Sequence, residues 1–216
     1  MGNLFNPEAP LMQGLGKIAD MMLLNVLTVL LSLPVVTAGA AIAALYDATW
    51  RILQDEGSVY GAYFRAFKSN FKQATVLWLL TLASGALLLF CLLFYLNNSM
   101  QVLVVLASLI LLLWSITEAW IFPLQSRFEN PVRITLKNAI YCAIGYLPRS
   151  LVMAALNLLP WVVFLFQTTL WLQMGFIWAV IWFALAAYVN MRLIRKPFKK
   201  LMGIEDVPAE QEQEES

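Results

Sequence analysis

The sequence has no histidine, two cysteines and few charged residues, and each scarcity narrows the possible functions. Without histidine, the chain lacks the commonest metal ligand and the commonest general base at neutral pH. Cys91 and Cys142 lie far apart and outside CxxC spacing, which favours buried free thiols over the alternative of a disulfide or metal pair. We therefore expect no enzyme, no cofactor and no metal site.

Charged residues make up only 12% of the chain, whereas apolar residues make up 61%. A soluble domain of this size is about one quarter charged. A chain with this balance cannot keep its apolar surface out of water. The composition therefore predicts an integral membrane protein rather than a soluble domain.

The lysines and arginines are confined to one side of a repeating hydrophobic pattern. Most of them fall in residues 51–72, 127–149 and 192–200, whereas the turns near Pro34, Asn97 and Thr168 carry none. Because lysine and arginine near helix ends stay on the cytoplasmic face, we expect the basic connections and the C-terminus to be cytoplasmic. The membrane accounts for these basic stretches, so no nucleic-acid partner is expected.

Two pairs of apolar segments predict two helical hairpins. Residues 75–96 and 101–124 form the first pair, and residues 151–166 and 170–191 form the second. Most of these segments are long enough to cross a hydrocarbon core of about 30 Å at about 1.5 Å per residue. The predicted fold is therefore all-α, a polytopic helical membrane bundle.

The first apolar region allows two interpretations. As one helix, residues 18–50 would extend about 50 Å, well beyond the core. Pro34 interrupts a helix, and Thr37 is a residue type that caps a new one. We therefore favour two helices, residues 17–33 and 37–54, giving three hairpins, six crossings and both termini inside. The alternative is one long kinked helix, five crossings and an external N-terminus.

The basic connections are predicted to form amphipathic surface helices on the cytoplasmic side. Residues 58–72 and 131–141 each combine apolar residues with lysine and arginine at helical spacing. Such helices suit the membrane boundary, where their cations meet anionic lipid head groups. We divide the chain into an N-terminal segment (1–16), an integral membrane domain (17–203) and an acidic, disordered tail (204–216).

Several stretches taken together resemble the DUF624 (YesL-like) family of bacterial integral membrane proteins. They are SLPVVTAGA at residues 32–40, FRAFKSNFKQA at 64–74, ENP at 129–131, LKNA at 136–139 and LPRS at 147–150. The resemblance covers residues 15–200. It implies a multi-pass protein of the bacterial plasma membrane, often encoded beside carbohydrate ABC importers and two-component sensors. It assigns no reaction and no catalytic residue.

Three charged residues are predicted to share the inner leaflet. Glu118 lies in an apolar helix about 9 Å from its cytoplasmic end, Asp47 lies at a comparable depth, and Arg149 begins a helix on the same side. Buried carboxylates require a partner, hydration or protonation. We favour an interhelical ion pair, or snorkelling of these side chains to the interface, and the alternative is a substrate or proton site.

The segment 127–137 is the candidate for docking a partner protein, and an equal alternative is that Arg127 and Glu129 stabilise the turn. Its residues are Arg127, Glu129, Asn130, Arg133 and Lys137. Our leading hypothesis is an accessory or scaffold protein of a carbohydrate ABC importer or its sensor kinase. The alternative is a small proton-coupled secondary carrier that uses the inner-leaflet charges. Six helices suffice for a dimeric carrier, so a homodimer is among the expected assemblies.

Overall fold

The computed structural model describes residues 10–201, and within them regular structure is helical. The long helices are α1 (Pro10–Ser32), α2 (Ala38–Gln54), α3 (Val59–Asn97), α4 (Gln101–Arg127), α5 (Val132–Gly145) and α6 (Leu147–Phe166). Short helices α7 (Thr168–Gln173) and α8 (Gly175–Ile177) lead through a π-helical turn, Trp178–Trp182, into α9 (Phe183–Leu201). The predicted tail at 204–216 lies outside the described residues. The predicted all-α bundle is confirmed.

The helical structure of the first apolar region is interrupted at Pro34, as the sequence predicts. Helix α1 ends at Ser32, and a 3-10 turn at Val35–Thr37 precedes α2. Proline restricts the residue before it to extended backbone, which ends the helix. Thr37 does not cap α2 as expected, because its hydroxyl instead donates to the carbonyls of Leu31 and Pro34 at the end of α1.

Helices α1 and α2 form a hairpin rather than one kinked helix. Lys17 Nζ lies 2.7 Å from Asp55 Oδ1, so the first half of α1 is beside the end of α2. Arg195 in α9 donates a hydrogen bond of 3.1 Å to Gln54 at the same end. Both ends of the described chain therefore lie at one end of the bundle, as the three-hairpin prediction requires. We call this end, where Arg51, Arg127 and Arg195 lie, the basic end.

Helix α2 forms the centre of the bundle. Its alanines Ala40, Ala41, Ala43, Ala44 and Ala48 are fully buried among α1, α3, α4 and α9. Small residues let neighbouring helices approach closely. A side chain at Gly39 would clash with the Ala74 carbonyl and with Trp78 of α3.

Helix α3 corrects the prediction of a separate surface helix at residues 58–72. It runs unbroken for 39 residues, or about 58 Å, because no proline interrupts it. Its basic part packs on the bundle through Tyr63 and Ala66, which are buried. The second predicted surface helix, α5, is separate from its neighbours.

Five helical stretches in the described part of the chain are long and apolar enough to cross a membrane. They are Met12–Ser32, Val59–Asn97, Gln101–Arg127, Leu147–Phe166 and Gly175–Lys199. Large apolar side chains on α3 and α4, such as Leu87, Phe90 and Val102, are exposed, as expected for a surface that faces lipid. Helix α2, with 17 residues, completes the first hairpin inside the bundle. The architecture is that of a multi-pass integral membrane protein.

Candidate functional site

An ion-pair network joins α2 to α4 at the basic end. Arg127 Nη1 donates to Asp47 Oδ1 at 2.8 Å, and Arg51 Nε donates to Asp47 Oδ2 at 3.0 Å. The Asp47 side chain is 9% exposed, against 20% for Arg127 and 32% for Arg51. The Arg127 guanidinium also lies over the Trp50 ring, 5.2 Å from its centroid, a favourable cation–π geometry. Asp47 is therefore satisfied at both oxygens by the two arginines.

Gln125 ties α4 to α3 and α5 beside this network. Its amide nitrogen donates to Asn70 Oδ1 at 3.2 Å and to Gln73 Oε1 at 3.0 Å. Its amide oxygen accepts from Thr135 at 3.3 Å. Because Gln125 and Thr135 are both buried, losing one partner would leave a buried polar group unsatisfied.

A polar cavity of about 500 Å³ lies between the network and the amides. We call it the basic cavity, and its lining is Asp47, Arg51, Ala62, Arg65, Ala66, Ser69, Asn70, Gln73, Gln125, Ser126, Arg127, Phe128 and Glu129. Its volume falls within the range of small-molecule sites, about 300–1,000 Å³. Because Arg65, Gln73 and Glu129 are exposed, the basic cavity opens to the outside of the protein.

The structure does not bring the predicted cluster of Asp47, Glu118 and Arg149 together. Asp47 pairs with Arg51 and Arg127, and Arg149 lies over the ring of Tyr146. Within the described residues no ion pair joins any two of the three predicted members. Arg149 Cζ lies 5.5 Å from the centroid of the Tyr146 ring instead.

Glu118 instead lies close enough to Tyr46 to act on it electrostatically. The Tyr46 hydroxyl accepts from Asn190 Nδ2 at 3.0 Å, and the same nitrogen donates to Asn157 Oδ1 at 2.9 Å. This polar group joins α2, α6 and α9 inside the bundle. Asn190 is fully buried, and its Oδ1 has no hydrogen-bond partner among the residues that the structure describes. Sequence reasoning missed Asn190 and Gln125, although a polar residue within an apolar helix could have identified both.

The side chain of Asn25 forms hydrogen bonds with the π-helical turn Trp178–Trp182 and with the start of α9. Its amide nitrogen donates to the carbonyls of Trp178 and Ala179 at 3.0 and 2.8 Å, and its oxygen accepts from Ala184 N at 2.8 Å. These bonds satisfy backbone groups that a π-helical turn frees from the regular α-helical pattern. Asn25 and Asn157 both join helices, as side-chain amides in membrane segments commonly do.

The docking candidates divide into inward and outward residues. Arg127 turns inward to Asp47, and Glu129 lines the basic cavity. The Asn130 carbonyl accepts a 3.5 Å hydrogen bond from Thr135 at the start of α5. Arg133 and Lys137 are exposed on α5. These two remain the candidates available to a partner protein.

Neither cysteine is engaged in a bond. Cys91 and Cys142 are free thiols, as the sequence predicts, but only Cys142, on α5, is buried, whereas Cys91 is half-buried. Burial raises the pKa of the Cys142 thiol because the thiolate is poorly solvated there. Within the described residues, no three histidine, cysteine, aspartate or glutamate side chains are grouped to hold a metal ion.

Part of the chain matches a model of a protein family. The sequence model of DUF624, described as a protein of unknown function, matches residues 21–92. No curated protein and no solved structure matches the chain. The matched segment contains α2, the Pro34 break and the six residues of α3 that line the basic cavity. The predicted resemblance to DUF624 is thus confirmed over residues 21–92, the segment of this chain that is similar to the family.

Proposed function

We propose that this protein is a non-catalytic accessory subunit that docks a partner in the membrane through α5. The partner class is a carbohydrate ABC importer or its sensor kinase. We further propose that the basic end faces the cytoplasm of a bacterial cell, because lysine and arginine near helix ends are retained there. The importer or sensor assignment follows from the resemblance, which implies genes of these two classes as neighbours.

The exposed side of α5 is the observation that carries the proposal. The helix is fixed to the bundle by a buried side of small residues, namely Thr135, Ala139, Cys142 and Ala143. Its other side is exposed and carries Arg133, Ile134, Lys137, Ile140, Tyr141 and Ile144, which we call the α5 face. A fixed helix with apolar and basic side chains exposed together suits a partner helix or the lipid boundary.

Co-purification from native membranes tests this proposal. A C-terminally tagged protein is purified in mild detergent, and the recovered proteins are identified by mass spectrometry. We expect importer or sensor subunits with the unaltered chain and their loss with the double variant Arg133→Glu/Lys137→Glu. The matched control is Arg192→Glu/Lys196→Glu, which reverses two exposed charges on α9. Recovery of the chain alone, or equal loss with both variants, would contradict docking through α5.

A small proton-coupled carrier is the second proposal, and the polar group inside the bundle favours it. Glu118 near Tyr46, together with Asn157 and Asn190, supplies a carboxylate and amides within apolar helices. Ionisable residues in such surroundings often mark ion or proton pathways. Uptake of labelled sugars by reconstituted protein, abolished by Glu118→Gln, would support this function. Uptake that is absent, or unaffected by this substitution, would exclude it.

A further inference from the structure

We propose that the basic cavity binds a phosphate group, with Arg65 and Arg127 as the principal cationic contacts. The site lies between α2, α3 and α4, apart from the α5 face, and does not depend on a protein partner. The same oxyanion chemistry is presented by a free phosphate and by the head group of an anionic phospholipid.

The charges of the lining favour an anion. Three arginines and two carboxylates line the basic cavity, which leaves one net positive charge. Asp47 is already satisfied by Arg51 and Arg127. Arg65 has no ion-pair or hydrogen-bond partner among the described residues, and it lies at the exposed rim. The cavity therefore has a cationic group available to a ligand.

Unused hydrogen-bond donors support the same ligand. Arg127 Nε is buried and has no acceptor among the described residues. A buried donor on a charged group costs free energy unless an acceptor reaches it. Gln73, an exposed residue, accepts from Gln125 through its amide oxygen, and its amide nitrogen makes no hydrogen bond within the described part of the chain. A phosphate presents several acceptor oxygens, which match the forked donors of arginine.

Glu129 offers a test in which phosphate binding should become stronger rather than weaker. It lines the cavity without an ion pair to any described residue, so its charge opposes an anion. Removing the Glu129 charge should therefore strengthen phosphate binding, whereas removing the Arg65 charge should weaken it. Lys68 lies on the exposed side of α3 outside the lining. It is a matched control for loss of one positive charge from the same helix.

The experiment uses the full chain in phosphatidylcholine nanodiscs, with and without phosphatidylglycerol. Inorganic phosphate is titrated into the nanodiscs that lack phosphatidylglycerol, and lipid retained on the protein is measured by native mass spectrometry. Loss of a charge-assisted contact should weaken binding about tenfold in Arg65→Gln. Glu129→Gln should tighten it about threefold, and Lys68→Gln should leave it unchanged.

The two arms identify the source of the phosphate. Saturable binding of inorganic phosphate with this order of variants assigns the site to a free phosphate. Selective retention of phosphatidylglycerol with the same order, without inorganic phosphate binding, assigns it to a lipid head group. Absence of both signals overturns the proposal. It is also overturned if Arg65→Gln and Lys68→Gln weaken binding equally, or if Glu129→Gln does not strengthen it.

Discussion

Replacing Asp47 with asparagine removes the carboxylate that two arginines share at the centre of the basic end. Asp47 is almost completely buried, and its oxygens lie 2.8 Å from Arg127 Nη1 and 3.0 Å from Arg51 Nε. The variant Asp47→Asn keeps the volume of the side chain but removes the negative partner of Arg127, whereas Arg51 keeps Glu56 Oε2 at 3.5 Å. Each single arginine substitution, by contrast, leaves Asp47 with one arginine.

We expect the loss in the free energy of unfolding to be larger for the more deeply buried members of the network. Breaking a buried ion pair by removing one member costs about 3–5 kcal/mol, whereas an exposed pair contributes about 0–1 kcal/mol. We expect Asp47→Asn to lower the free energy of unfolding by about 3 kcal/mol. Because Arg127 is 20% exposed, Arg127→Gln should lower the free energy of unfolding by about 2 kcal/mol. Because Arg51 is 32% exposed, Arg51→Gln should lower the free energy of unfolding by less than about 1 kcal/mol.

Unfolding in mixed micelles with increasing SDS, followed by circular dichroism, measures these differences. A double-mutant cycle of Asp47→Asn with Arg127→Gln isolates their interaction, which we expect to be about 1–3 kcal/mol. Coupling below about 0.5 kcal/mol would mean that the two residues act independently. That result, or equal losses for Asp47→Asn and Arg51→Gln, would refute the assignment of Asp47 as the shared partner.

Three further predictions concern packing and chemistry elsewhere. Gly39→Ala should destabilise the protein by about 1–3 kcal/mol through overpacking, whereas Gly145→Ala, with open space around it, should be neutral or stabilising in the same SDS titration. Asn25→Leu should cost about 1–3 kcal/mol, because buried backbone groups of the π-helical segment lose their partners, and faster amide hydrogen exchange at residues 178–184 would report it. Because burial raises the pKa of the Cys142 thiol, its thiolate is scarce near neutral pH. Maleimide labelling of Cys142 should therefore remain slow in the folded protein and accelerate above the ordinary pKa of a thiol, and rapid labelling at pH 7 would contradict its burial.

Local chemistry predicts the hairpins and the break at Pro34 because each depends on neighbouring residues alone. The length of α3 does not follow in the same way. The aromatic and basic pattern of residues 58–72 suits a short surface helix or the first turns of a longer one equally well. No residue near position 72 ends a helix, and packing of Tyr63 and Ala66 on the bundle favours continuation.

In the candidate site, the sequence predicts how deep a residue lies along its helix but not the direction in which its side chain points. Counting residues from a helix end gives the depth of Asp47 and Glu118, but each helical residue turns the side chain by about 100°. The packing of whole helices determines which face of one helix contacts which face of its neighbour. Arg127 rather than Arg149 therefore reaches Asp47. Asn190 meets Tyr46 across 144 positions of sequence, a contact that no local pattern encodes.

The enclosure of α2 has a consequence for how the protein is built in the membrane. Its surface is covered by four other helices, and it carries Asp47 and Arg51 near one end. A helix with these charges is poorly stable in lipid alone, and its 17 residues offer little length for anchoring. Its stable position depends on α3, α4 and α9, all of which are synthesised after it. We therefore expect α2 to settle late in biogenesis, so that truncation before α9 leaves the first hairpin accessible to membrane proteases.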